Sequence, residues 1–326
     1  MTTLRAYSAK TLSNGAGGGR CWPEPPRGHD MATTARALRD DEPRLGDGGP
    51  RPGRGGLRLR PVAAANAALK AAVRFWFAVV LVGQLFFVAH IVSFYGGSSL
   101  NGDFNRWNKV LSKGFVPGDH IGNSALAVHL SMAALITFAG LLQLTPQIRT
   151  RFPTFHRWVG RSYIVIAVLA STSALYLSVI RGGTPGGFLQ HATIDVDAIL
   201  ILIFAALALR YALARDFAVH RRWATRLFLA VSGVWFFRAG VFFWILINQG
   251  PVGFNPETFE GPALTVLGFV AYFLPLGVFE LYWRAQQRGG TASRFAMAGT
   301  LVVLTLAMAV GVFGHAMFML SSGAAF

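Results

Sequence analysis

Two short strings in this sequence repeat one chemistry-bearing pattern. His156-Arg157-Trp158, followed by Arg161 and Tyr163, is matched with a one-residue offset by His220-Arg221-Arg222-Trp223, followed by Arg226 and Phe228. Pro153 precedes the first histidine and Asp216 the second, and these are helix-opening residues, Pro at a first helical position and Asp as an N-cap. Both histidines are therefore expected in a first helical turn, at one depth. Two imidazoles at one level on two helices can be the axial ligands of a b-type haem. Arg157, Arg161 and Arg221, with Arg222 and Arg226, could then pair with its propionates. The competing reading is structural: Trp and Arg anchor helix ends at headgroup level, and the imidazoles cap or touch phosphate.

Three further polar residues stand inside apolar stretches. His129 is a second-level candidate, either a cofactor ligand with His191 on the opposite face or an interhelical hydrogen bonder. Arg238, in the string SGVWFFRAGVFFW, costs about 2.5–3.5 kcal/mol in a bilayer unless it is paired or wet. Asp197 is the expected partner, because helical rise puts the two within about 9 Å in depth. That pair would either lock two helices together or line a polar cavity in a transporter-like or structural membrane protein.

The elements that must position these residues are seven apolar runs, at 72–95, 124–144, 159–180, 194–213, 227–247, 263–281 and 297–319. Each approaches or exceeds the ~20 residues that carry a helix across a ~30 Å hydrocarbon layer. A hydrophobic fraction of 53%, only 13% charged residues and a mean hydropathy of +0.46 agree, since a soluble domain needs more polar surface. The expected fold is an all-α integral membrane bundle of seven transmembrane helices filling residues 71–322, with a core at about 124–248. No nucleotide loop, HExxH or GxSxG string occurs.

Arginine fixes the expected orientation. The connections after the second, fourth and sixth runs hold twelve arginines; the alternate connections hold four basic residues diluted by acids. This bias puts the N-terminus in the cytoplasm and the C-terminus outside, in the inner (plasma) membrane with lipid as the surrounding partner. The net charge of +16 belongs to that bias and to the N-terminal arm, so no nucleic acid partner is expected. Residues 1–70 read as a disordered basic Gly/Pro/Arg-rich arm. Cys21 is the one cysteine, so any metal or cofactor must be held by His, carboxylate or backbone.

The order of these strings resembles a bacterial multi-pass family known as domain of unknown function 2306. The resemblance rests on His129 through Gln143, the basic loop Arg149 to Arg151, His156-Arg157-Trp158-Val159-Gly160-Arg161-Ser162-Tyr163, the Gly-rich turn, His220 through Trp223, and Arg238. It spans about residues 125–245, and Leu141-Leu142 departs from the family's Gly-Pro. It implies a membrane protein of unassigned activity and singles out His129, His156 and His220 without giving them a role. A shorter string, Phe155-His156-Arg157-Trp158-Val159-Gly160, resembles the helix opening of two-haem transmembrane b-type cytochromes, which implies a haem ligand at His156.

Overall fold

The computed structural model describes residues 54–111, 114–180 and 187–321. Expectations for residues 1–53, Cys21 included, and for the Gly-rich turn at 181–186 lie outside the described residues. Helix α1 (Arg54–His90) continues through a π-helical stretch, Ile91–Gly96, into a last turn, Gly97–Leu100. Then follow α2 (His120–Leu144), α3 (Pro153–Val179), α4 (Phe188–Leu213), α5 (Phe217–Val231), α6 (Gly233–Asn248), α7 (Pro262–Arg288) and α8 (Thr291–Ser321). A single antiparallel bridge, Asn255 to Glu260, is the extended pairing among the described residues.

Six of these helices are long and apolar enough to cross a membrane, and α5 with α6 forms one more span, bent by 49°. The bent pair makes a full crossing rather than a hairpin, as its contacts with α7 show. Arg226 meets Glu280, Gly233 lies against Tyr272 and Gly240 against Leu267, so α7 is descended step by step as α5 and α6 are climbed. The apolar run at 227–247 was expected to be one helix. Its break falls at Ser232, which hydropathy cannot register because the flanking residues are apolar on both sides.

Helix α1 begins at Arg54, so residues 54–70 are helical where the arm was expected to extend to Lys70. The Pro-Val-Ala-Ala-Ala-Asn-Ala-Ala-Leu-Lys string from Pro61 is Ala-rich and strongly helix-forming. Its inner face is buried: Leu69 and Ala72 pack with Ala285 of α7 and with Met297, Ala298 and Leu301 of α8. Arg294 closes this corner by donating to the Asn66 side chain at 2.7 Å.

Helices α2 to α5 form a four-helix unit. Helix α2 packs along α3, α3 along α4 and α4 along α5, while α5 returns more lightly to α2. Ile136, Tyr163, Ala167, Phe204, Ala205, Leu227 and Ala230 are its buried centre. Gly140 permits the closest approach, since a Cβ there would stand 3.0 Å from the Phe228 ring and 3.3 Å from Tyr163. Helices α1 and α8 pack along each other, and α8 along α6. The outward faces carry Val82, Leu135, Val165, Ile199 and Val303, all exposed, as lipid contact requires.

Candidate functional site

The two histidines of the repeated string open α3 and α5 symmetrically. Pro153 sits at the start of α3; Asp216 caps α5, its carboxylate accepting from the Val219 N–H at 3.2 Å. Each histidine is the fourth residue of its helix, and each backbone N–H makes an opening helical bond, His156 to Phe152 at 3.0 Å and His220 to Asp216 at 2.9 Å. Helices α3 and α5 are not among the pairs that pack along each other, yet the two imidazoles lie within electrostatic reach, with Arg149 also close to His156. The two rings thus stand near each other from equivalent first-turn positions of α3 and α5.

The ring nitrogens are held differently. His220 Nδ1 lies 2.9 Å from the Ala208 carbonyl of α4. A carbonyl only accepts, so the ring donates from Nδ1 and its lone pair is left on Nε2. The tight turn Ala214-Arg215-Asp216, with Arg215 at φ 59°, returns α5 along α4 to make this contact. His156 Nδ1 is buried and has no hydrogen-bond partner among the described residues. Its backbone carbonyl accepts from the Gln143 amide of α2 at 3.0 Å, and Gly160 leaves room for that amide.

The flanking arginines divide into two sets. Arg222 and Arg226 both engage Glu280 of α7, Arg226 through Nε at 2.9 Å, and lie over Trp283 and over Trp223 respectively. They are therefore not free to hold a propionate. Arg157 donates to Thr154 at 3.1 Å, Arg161 lies over Trp158, and Arg221 reaches the Phe217 carbonyl at 3.4 Å. None of these three is paired with a carboxylate among the described residues.

His129 does not join the pair. Its Nδ1 lies 3.3 Å from the Ala170 carbonyl and 3.2 Å from the Ser173 hydroxyl. Ala170 is fourteen residues along α3 from His156, roughly 21 Å of helix. His191 is in the first turn of α4 rather than in the Gly-rich turn.

The expected Asp197–Arg238 ion pair is not formed. Asp197 is 4% exposed, faces the helix break at Gly233, and has one carboxylate oxygen without a hydrogen-bond partner. Arg238 points the other way, 5.6 Å above the Phe87 ring and beside Tyr95 and His315. Tyr272 is within electrostatic reach of both charges. Rotation about the helix axes sends the two side chains to different neighbours. Among the described residues, no group of three or more His, Cys, Asp or Glu could hold a metal ion.

Sequence reasoning missed Glu280, Tyr95 and Gln84. Gln84 donates to the Ser232 hydroxyl at 2.9 Å across the helix break, and Trp107 of the 3-10 turn Phe104–Lys109 is buried on Tyr95. The one available signal was a polar or acidic residue inside or at the edge of an apolar run.

Comparison with known proteins places this arrangement. No curated protein and no solved structure matches the chain. A family model described as "predicted membrane protein (DUF2306)" matches residues 126–283, which takes in most of α2, α3 to α6 and most of α7. Over that stretch, just under half of the 326 residues, the chain is similar to the DUF2306 family of predicted membrane proteins, with its repeated His-Arg strings, Gln143 and Arg238 in order.

Proposed function

We propose that the α2 to α5 unit of this multi-pass membrane protein is a b-type haem-binding electron carrier, with His156 and His220 as the axial pair. The observation that carries the reading is the state of the two rings. His220 donates from Nδ1 to Ala208 and so presents Nε2 as a lone pair, while His156 Nδ1 is buried without a partner. Two neutral imidazoles are too few to cage a bare metal ion, which takes at least three protein ligands, but they suffice for a porphyrin iron that already has four ring nitrogens. When bound, the haem supplies a one-electron couple. Ala208 fixes the His220 tautomer and ring orientation, and Gln143 fixes the first turn of α3. Arg157, Arg161 and Arg221 offer uncommitted positive charge at the same end for propionates.

The basic end is the cytoplasmic face of the inner membrane in this reading, as the arginine bias requires. The test is a reduced-minus-oxidised visible spectrum of the full-length protein, expressed with ample haem. The b-type α and Soret bands are expected, and they disappear in H156A and H220A. Colourless protein, or bands that survive both substitutions, overturns the reading.

One observation favours a second reading, a transporter-like carrier without a cofactor. The fifth span is broken at Ser232, and the buried Asp197 carboxylate lies against the first residue of α6. Broken spans in carriers place substrate or ion contacts at such half-helix ends. Colourless protein whose proton or sodium uptake into vesicles is lost in D197N supports this alternative.

A further inference from the structure

The strongest unassigned constellation is at the other end of the bundle. Arg238 on α6 is surrounded by hydrogen-bond donors and aromatic rings, with no acid paired with it among the described residues. The Tyr95 hydroxyl approaches the guanidinium without closing a hydrogen bond of good geometry. His315 of α8 is within electrostatic reach of Arg238 and stands 6.2 Å, ring centre to ring centre, from His90 of α1. Phe87 lies under the guanidinium, and Phe242 stacks on His315 at 4.8 Å. Tyr95, His90 and His315 are buried, whereas Arg238 keeps part of its surface accessible.

The local backbone is built for this meeting. The π-helical stretch Ile91–Gly96 begins directly after His90 and contains Tyr95. A π segment within an α-helix shifts the residues beyond it around the axis, and such segments recur at functional sites. Here Phe94 stacks on His90 at 5.4 Å and Tyr95 meets it edge-on at 6.1 Å, which holds that register. Trp107 closes the end by packing on Tyr95 and donating to its carbonyl at 3.4 Å.

We propose that Arg238, Tyr95, His90 and His315 form an intramembrane binding site for the carboxylate of an apolar organic acid. A cation within an apolar span and without a contacting acid is costly, and the polar groups gathered around it and around His315 can all donate: the guanidinium, a phenol and two imidazoles. Such a set recognises an oxyanion. One guanidinium presents two parallel N–H groups, which fit a planar monovalent carboxylate. The aromatic walls accept the apolar remainder of the molecule. The acid comes either from the bilayer, as a fatty acid, or from the aqueous side, as a small aromatic acid. This site is separate from the histidine pair: Arg238 lies eighteen residues beyond His220, roughly 25 Å along α5 and α6. It stands whether or not haem is bound there.

Photoaffinity labelling with a diazirine-bearing decanoate tests the site on the full-length protein in nanodiscs. Label is expected on peptides around Tyr95 and His315, and unlabelled decanoate should compete while decanol, equally apolar but lacking the carboxylate, does not. Competition by benzoate instead of decanoate assigns the aqueous source. Labelling should fall at least tenfold in R238Q and about threefold in Y95F, which removes a single hydroxyl and leaves the ring packing. The proposal is overturned if label spreads over lipid-facing helices, if decanol competes as well as both acids, or if Y95F and folded R238Q label like wild type. Should R238Q fail to fold, Y95F and the decanol comparison decide.

Discussion

The side-chain amide of Gln143, one residue before the end of α2, donates to the backbone carbonyl of His156, in the first turn of α3, at 3.0 Å. The short helix Pro146–Arg151 intervenes between them in sequence. The bond therefore ties the end of one span to the start of the next, and it does so at the residue whose ring nitrogen lacks a partner. It also gives Gly160 a purpose, since any Cβ there would press to 3.3 Å on the Gln143 carbonyl oxygen.

Replacing Gln143 by Leu should cost about 1 kcal/mol, the net worth of one partly buried hydrogen bond. The loss is local to the first turn of α3. Thermal unfolding followed by circular dichroism at 222 nm should show a midpoint lowered by a few degrees, with helix content at low temperature unchanged. If the haem reading holds, the reduced α band should also shift or weaken in Q143L, because the ring of His156 is no longer fixed. A midpoint identical to wild type would show that this contact does not hold the two spans.

Two glycines should respond in opposite directions to the same substitution. At Gly140 a new Cβ meets Phe228 at 3.0 Å and Tyr163 at 3.3 Å, both rings held in the buried centre of the four-helix unit. G140A therefore overpacks the core, at about 1–3 kcal/mol. At Gly277, inside α7, nothing lies within 4 Å of the new atom. G277A then gains roughly the 1 kcal/mol by which Ala exceeds Gly in a helix interior. Unfolding midpoints of the two variants in one detergent check the sign of each.

How much of this was legible in the sequence follows from what each signal measures. Hydropathy averaged over twenty residues finds spans, and its seven runs coincide with the helices long and apolar enough to cross among the described residues, but it passes over a break such as Ser232 whose neighbours are all apolar. Composition read Gly, Pro and Arg in the arm and missed the Ala-rich string that makes residues 61–72 helical. Cap residues place a side chain along a helix, so the equal standing of His156 and His220 was readable from Pro153 and Asp216. Rise per residue gives depth alone. The meeting of Arg238 with Tyr95 and His315, and of Asp197 with Gly233, depends on helix rotation and on the π segment, neither of which the spacing encodes.

The contact across the helix break should show an asymmetric mutant cycle. Gln84 is 1% exposed and donates to the Ser232 hydroxyl at 2.9 Å, while its own carbonyl oxygen has no partner. S232A strands the whole Gln84 amide, a cost of about 1–3 kcal/mol. Q84L removes a group already half unsatisfied and leaves Ser232 free to bond back into its own helix, so it should be nearly neutral. The double variant Q84L/S232A should recover most of the loss in S232A. Unfolding midpoints that fall additively in the double variant would rule out the coupling.

The fifth crossing is open to a chemical test of sidedness. Replacing Cys21 by Ser removes the native thiol, after which single cysteines can be placed at exposed positions: T154C and A218C at the basic end, N101C and T258C at the opposite end. A membrane-impermeant maleimide applied to intact spheroplasts should label N101C and T258C; inverted vesicles should expose T154C and A218C instead. The informative comparison is A218C with T258C, which flank the broken span. If α5 and α6 formed a re-entrant hairpin, both would react from one side, and α7 would then enter the bilayer beside α5 instead of opposite it. That arrangement cannot bring Glu280, in the second half of α7, to Arg226, in the second half of α5, while Tyr272, in the first half of α7, meets Gly233. Labelling from opposite sides is therefore what the pairing of α7 with both halves of the span demands.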